Sequence, residues 1–274
     1  MRKALVPITL LLIALALSVA GCTSSKDVSS YYQPPLTELI PPTPTPTPSQ
    51  TPASSAWSSY FGPLYEGSWA QYAIRGMDSY MREFTGTRDV KVLNVTADTL
   101  VTEEVEHVSA SGLTSELVRR AELTLLSGGE ARVKVYTMVN GDSANVSVFT
   151  CTASASALGG ASLADLLAAA QVSDRGVEYV YIPNLGKFAC QHTVRNTTLG
   201  SATGMVANFT EERWAVSGGA VPLTGTVYGI TTQDFGYGQK AVTVVQLQAL
   251  NLTGAQQTLT ANLLGGAVQI SCPY

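Results

Sequence analysis

Between residues 119 and 151 the chain alternates apolar and polar side chains with a period of two, a pattern that only a β-strand gathers onto one face. Ala121, Leu123 and Leu125 alternate with Arg120, Glu122 and Thr124; Val133, Val135, Thr137 and Val139 alternate with Arg132, Lys134, Tyr136 and Met138. Gly128-Gly129 separates these two runs, and Asn140-Gly141, a dipeptide suited to a tight hairpin, leads into a third at 145–151. A three-strand meander is predicted. Similar runs at 67–75, 90–95, 177–182, 188–194, 206–216, 221–231, 241–249 and 267–272 bring the total to about eleven strands. One segment departs from this period: Ser162 can cap a helix over 162–171, with Leu163, Leu166, Leu167 and Ala170 on one side. So short a helix must lie on the sheet. The predicted class is mainly β, a large curved antiparallel sheet or half-barrel with one short helix; a sandwich also fits the strand count.

The first fifth of the chain cannot belong to that sheet. Met1-Arg2-Lys3 is basic, residues 4–20 are almost wholly apolar, and Val19-Ala20-Gly21-Cys22 offers small residues before a thiol. This resembles the lipobox of prokaryotic membrane lipoproteins, with Val19 where Leu is usual. The resemblance implies that 1–21 is a signal peptide and that Cys22 carries lipid as the first mature residue. Firm anchoring then takes two or more chains. Eight of the thirteen prolines fall between Pro34 and Pro52, so 22–57 reads as a lipidated N-terminus and Pro/Thr-rich stalk in extended conformation. Residues 58–274 read as the β-rich extracytoplasmic domain. The expected place is the outer face of the cell membrane.

Composition narrows the function. Charged residues make up 13% of the chain, against roughly 25% in an ordinary soluble domain, and 55 Ser and Thr supply the polarity instead. A net charge of -4 with 16 basic residues gives no basic face for nucleic acid. Five of eight asparagines begin Asn-x-Ser/Thr: Asn94, Asn145, Asn196, Asn208 and Asn251. They are the candidate N-glycosylation sites, with Asn196 and Asn251 in stretches that read as turns. The lipobox, the Thr-Pro stalk and the sequons together look like archaeal surface lipoproteins of the methanogen kind; a bacterial host also fits.

Catalytic signatures fail one by one. Gly160-Ala161-Ser162-Leu163-Ala164 lacks the closing glycine of a nucleophile elbow, and Gly236-Tyr237-Gly238 runs into an alternating strand rather than a helix. Glu103, Glu104, Glu106 and His107 form the acidic run with a histidine; on a strand they divide between two faces, which reads as a solvated edge. No catalytic residue, metal site or cofactor is expected, and the chain does not read as an enzyme. Once Cys22 is lipidated, Cys151, Cys190 and Cys272 remain in an oxidising compartment, which calls for one disulfide and one leftover thiol. Cys151 with Cys190 is the favoured pairing, Cys190 with Cys272 the alternative.

The hairpin over 177–194, strand-Pro183-Asn-Leu-Gly186-Lys-Phe188-Ala-Cys190, together with Gly-Ser-Trp69 and Glu-Arg-Trp214 ahead of Val221-Pro222-Leu223, is similar to half-barrel lipoproteins of the LolA, LolB and LppX group. That resemblance implies a curved sheet sheltering an apolar cavity, and it transfers no binding residue. Two functions are open: a lipid-anchored protein whose β-domain binds an apolar or lipid-like ligand, or a glycosylated surface structural or adhesion protein with no small-molecule ligand.

Overall fold

The computed structural model describes residues 34–35, 37–38, 51–158, 171–200, 206–216, 221–223, 225–236 and 239–272. In chain order these form β1 (Thr37–Glu38), α1 (Ser58–Phe61), β2 (Trp69–Met77), β3 (Glu83–Val95), β4 (Thr99–Ala110), β5 (Leu113–Leu125), β6 (Glu130–Val139), β7 (Ser147–Ser154), α2 (Ala155–Leu158), β8 (Gln171–Ile182), β9 (Gly186–Gly200), β10 (Val206–Ala215), β11 (Thr226–Asp234), β12 (Lys240–Asn251), α3 (Ala261–Gly265) and β13 (Val268–Gln269). All the strands join one open sheet in the order β1-β8-β9-β10-β11-β12-β2-β3-β4-β5-β6-β7-β13. Two meanders, β2–β7 and β8–β12, are thus joined side to side where β12 pairs antiparallel with β2. The curved sheet expected from the alternation is present. The predicted helix at 162–171 lies outside the described residues, except that Gln171 opens β8.

Turn residues take the backbone conformation that the sequence announces, but not always the expected hairpin. Asn140 (φ 52°) and Gly141 (φ 66°) are both left-handed and Asp142 N donates to Val139 O, yet residues 140–146 separate β6 from β7, whose first pair is Thr137 with Ser147, so the tight hairpin expected there is a longer loop. At the other predicted hairpin Asn184 (φ 66°) and Gly186 (φ 91°) turn β8 into β9. Two predicted strands are shorter than expected. The run at 221–231 becomes a strand only from Thr226, and the run at 267–272 pairs only over Val268–Gln269, parallel to β7.

Alternation places apolar side chains on both faces of the sheet, and each is covered. In β2–β7, Val92, Leu100, Leu123, Val133, Val135 and Phe149 pack under Trp57, Leu64, Ala155 and Leu158. Across the same strands Val105, Val118, Tyr136, Met138 and Val148 pack under Leu259, with Leu263 and Leu264 of α3 beside them. The third cluster belongs mainly to β8–β12 and includes Val180, Phe188, Trp214, Ile230 and Val244. Trp57 is fully buried, its Nε1 donates to Asp98 O at 2.8 Å, and Ala53 N donates to Leu64 O. The folded body therefore begins before residue 58. Further upstream, Thr37 and Glu38 pair with Val180 and Tyr179, so the segment read as a stalk touches the body there.

The cysteine pairing is corrected. Cys151 bonds Cys272, with Cα atoms 5.6 Å apart, and Cys190 is free and buried. Cys151 on β7 and Cys190 on β9 belong to different meanders and stand on opposite faces of the sheet, so they do not pair. The inference of one disulfide and one leftover thiol stands; the partner was misread because residue 272 follows a segment that returns along β7.

Candidate functional site

Strand register assigns every side chain to one of two faces. On the first face Tyr72 stands opposite Arg88 and Leu247, Arg88 opposite Glu106, and Glu104 opposite Arg119. These positions on adjacent central strands bring four charges into one chain of contacts. Arg88 Nη2 donates to Glu106 Oε2 at 2.8 Å, Arg88 Nε lies 2.9 Å from Glu104 Oε1, and Arg119 Nη2 donates to the same Glu104 oxygen at 3.0 Å. Burial alone would raise the Glu104 pKa, but the Arg119 and Arg88 guanidiniums outweigh it and hold the carboxyl below its ordinary range. Arg88 is held charged against its own burial by Glu104 and Glu106. Tyr72 donates to Thr226 O on β11 at 3.0 Å, across β12, and burial pushes its phenol pKa up despite Arg88 and Arg213. That reach crosses an intervening strand, which a sheet curved toward this face permits.

This network is polar, central and incompletely covered. Arg88 and Glu104 keep 31% and 28% of their side-chain surface accessible. Half-buried Val90, Leu117, Ala121 and Val139 border them on the same face. The arrangement can offer hydrogen-bond donors and acceptors of both signs within an apolar surround.

The second face carries a different cluster. His192 stacks on Trp214 with ring centroids 4.1 Å apart, and Trp214 Nε1 donates to Glu178 Oε2 at 2.8 Å. His192 Nδ1 is 3.0 Å from Glu178 Oε1, while Nε2 is 3.6 Å from Glu212 Oε2. Burial would raise the Glu178 pKa; the hydrogen bonds to Trp214 and His192 bring it below the usual value. The imidazole and two carboxylates tie β8, β9 and β10 together. The thiol opposite Glu178, Cys190, is not an activated nucleophile: burial pushes it up to about 12.

The acidic run at 103–107 is not a solvated edge. Its division between faces holds, but Glu103 is fully buried and accepts from Thr258 N at 2.6 Å, Leu259 N at 3.0 Å and Lys91 Nζ at 3.2 Å. Glu104 and Glu106 enter the network above, and His107 Nδ1 lies 3.5 Å from Glu116 Oε2. Among the described residues no three His, Cys, Asp or Glu side chains are placed to hold a metal ion.

All five sequon asparagines are exposed. Asn145 sits in a 3-10 turn, Ser143–Asn145, and Asn196 sits within β9 rather than in the turn expected for it. Thr210 Oγ1 donates to Asn196 Oδ1 and Thr198 Oγ1 to Asn208 Oδ1, each at 2.9 Å, so each sequon's hydroxyl serves the other's asparagine. Asn94 (opposite Val101), Asn196 (opposite Thr210), Asn208 (opposite Thr198) and Asn251 (opposite Trp69) all stand on the second face. None of these four shares the first face with the charged network. Cys22 lies outside the described residues.

No known family and no curated protein matches the chain. Among solved structures, the β-barrel-like protein of domain of unknown function DUF1849 from Brucella abortus is similar at 9% identity over 69% of this chain and 99% of that one, with a TM-score of 0.28. So low a score adds nothing to the description of the sheet. No helix among the described residues is long and apolar enough to cross a membrane.

Proposed function

We propose that this chain is a surface protein held at the outer face of the cell membrane by lipid on Cys22, and that its β-domain binds a lipid-like amphiphile on the first face. The observation that carries this reading is the Arg88–Glu106 and Glu104–Arg119 network at the centre of the sheet. It is open enough to meet a polar headgroup and bordered by half-buried Val90, Leu117, Ala121 and Val139 that suit an acyl or isoprenoid chain. The position of the strand sequons supports it, because glycans on the second face would leave this one bare. Catalysis is not part of the proposal.

Native mass spectrometry of the membrane-extracted protein tests the ligand. A bound lipid mass is expected, and Arg88→Met with Arg119→Met should lower its occupancy at least severalfold. A protein that carries no ligand and takes up no lipid from mixed micelles would overturn the binding reading. The structural or adhesion alternative would then replace it, a reading favoured by the three apolar clusters being filled with side chains. Intact mass of the same sample tests the anchor separately: an N-terminus other than lipid-modified Cys22 would remove it.

A further inference from the structure

We infer that β8 lies against the membrane that carries the anchor, with Val172, Val177 and Tyr181 in the interfacial layer. The inference rests on the anchoring reading above and adds to it a docking surface. Its starting point is where the chain enters the fold. Thr37 and Glu38 pair antiparallel with Val180 and Tyr179, so the polypeptide upstream of β1 leaves the domain alongside the Tyr181 end of β8. Fourteen residues separate Cys22 from Thr37. Fully extended they reach roughly 50 Å, so the β8 edge stays within that distance of the bilayer.

The surface at that edge is the kind a bilayer interface accepts. Six large apolar side chains are exposed among the described residues, and three of them are on β8: Val172 at 57%, Val177 at 62% and Tyr181 at 42%. Register places all three on the first face, opposite Arg195, Gln191 and Lys187. A strand of this length sets Val172 and Tyr181 about 30 Å apart, a line of contact rather than a point. Arg175 is exposed on the same strand and Arg195 and Lys187 stand opposite Val172 and Tyr181, while Asp174, Glu38 opposite Tyr179 and Glu211 opposite Arg195 are acidic, so the apolar stripe has a border of mixed charge. Exposed valine and tyrosine side chains beside charges of both signs suit the boundary between zwitterionic headgroups and acyl chains. Because the stripe shares the first face with the Arg88–Glu104 network, the rim touching lipid would open directly onto the proposed ligand face.

Hydrogen exchange on vesicles decides the matter. The full chain is coupled through the Cys22 thiol to a maleimide lipid in phosphatidylcholine–phosphatidylglycerol vesicles, which supplies an anchor whatever the cell does to Cys22. Peptides covering 171–182 should exchange at least threefold more slowly on vesicles than in free solution. The hairpin carrying Leu113, 67% exposed but on β5, should not change. Val172→Asp with Val177→Asp, substitutions at exposed positions, should erase the difference, and Leu113→Asp should leave it. Equal exchange with and without vesicles overturns the inference. So does slowing that needs no vesicles and grows with protein concentration, which would mark β8 as a contact between two copies of the chain. An unmodified Cys22 in the native protein would count against the anchor and leave this result readable.

Discussion

At the scale of single residues, two side chains show how environment decides chemistry. Cys190 is a thiol with no charge partner to stabilise a thiolate; burial dominates, Glu178 adds to it, and the pKa rises to about 12. Iodoacetamide at pH 8 should therefore leave Cys190 unmodified in the folded protein and alkylate it after denaturation, as peptide mass mapping would show. Rapid native alkylation would mean the thiol is open. Glu104 is the reverse case, a half-covered carboxylate kept ionised by two arginines. Its folded pKa lies below its unfolded one, so its contribution is complete above the ordinary value of ~4.3 and is lost as pH falls through the lowered one. Glu104→Gln should be less stable than the parent at pH 7 and should lose less on acidification to pH 3, a difference read from urea melts at both values. Parallel losses in the two proteins would remove the ion network as the cause. Neither role was legible in the sequence. The acidic run could be divided between two faces by parity, but its partners Arg88, Arg119 and Lys91 lie on other strands, and only register brings them together.

At the scale of elements, the segment after β12 behaves as a strap across the outside of the first meander. Leu259, Leu263 and Leu264 cover one apolar cluster, Glu103 grips the backbone at Thr258 and Leu259, and Cys272 closes the far end on Cys151. Glu103→Ala would leave Lys91 without its buried carboxylate and two backbone N–H groups without an acceptor. A loss of about 3 kcal/mol is expected in chemical denaturation. A loss under about 1 kcal/mol would show that water replaces the carboxylate. Cys151→Ser with Cys272→Ser should cost about 2 to 4 kcal/mol, and non-reducing peptide mapping should recover a 151–272 cross-link. A cross-link through Cys190 would contradict the fold itself. Strands with clean alternation and explicit turns, such as β5, β6 and β9, could be read from the chain. β4 could not, because Glu103, Glu104 and Glu106 interrupt its apolar pattern, and the strap could not, because its hold depends on contacts remote in sequence.

At the scale of the whole molecule, the two faces of one sheet are assigned different company. Four sequon asparagines in strands share the second face, and the open charged network has the first. If the cell glycosylates this protein, glycopeptide mapping should find sugar on peptides containing Asn94, Asn196, Asn208 or Asn251. Addition of a bulky group at a first-face position, for example Val139→Asn with Gly141→Thr, should block lipid uptake while the second-face glycans do not. Uptake that survives this change would move the ligand elsewhere. Sequence could name the sequons and count the strands, yet it could not say which face each residue would share, since that depends on bulges such as those between Val92 and Asn94 and between Leu247 and Ala249.

The pairing of β12 with β2 has a kinetic consequence. Met77 meets Val242, so the first long strand of the body waits for one of the last before the sheet is continuous. Each meander can assemble from local hairpins, but the seam between them is a contact of very high sequence separation, the kind that forms late. Until the last strands are available the centre of the sheet cannot close, so a chain released from its N-terminus onward holds two half-sheets that have not yet locked together.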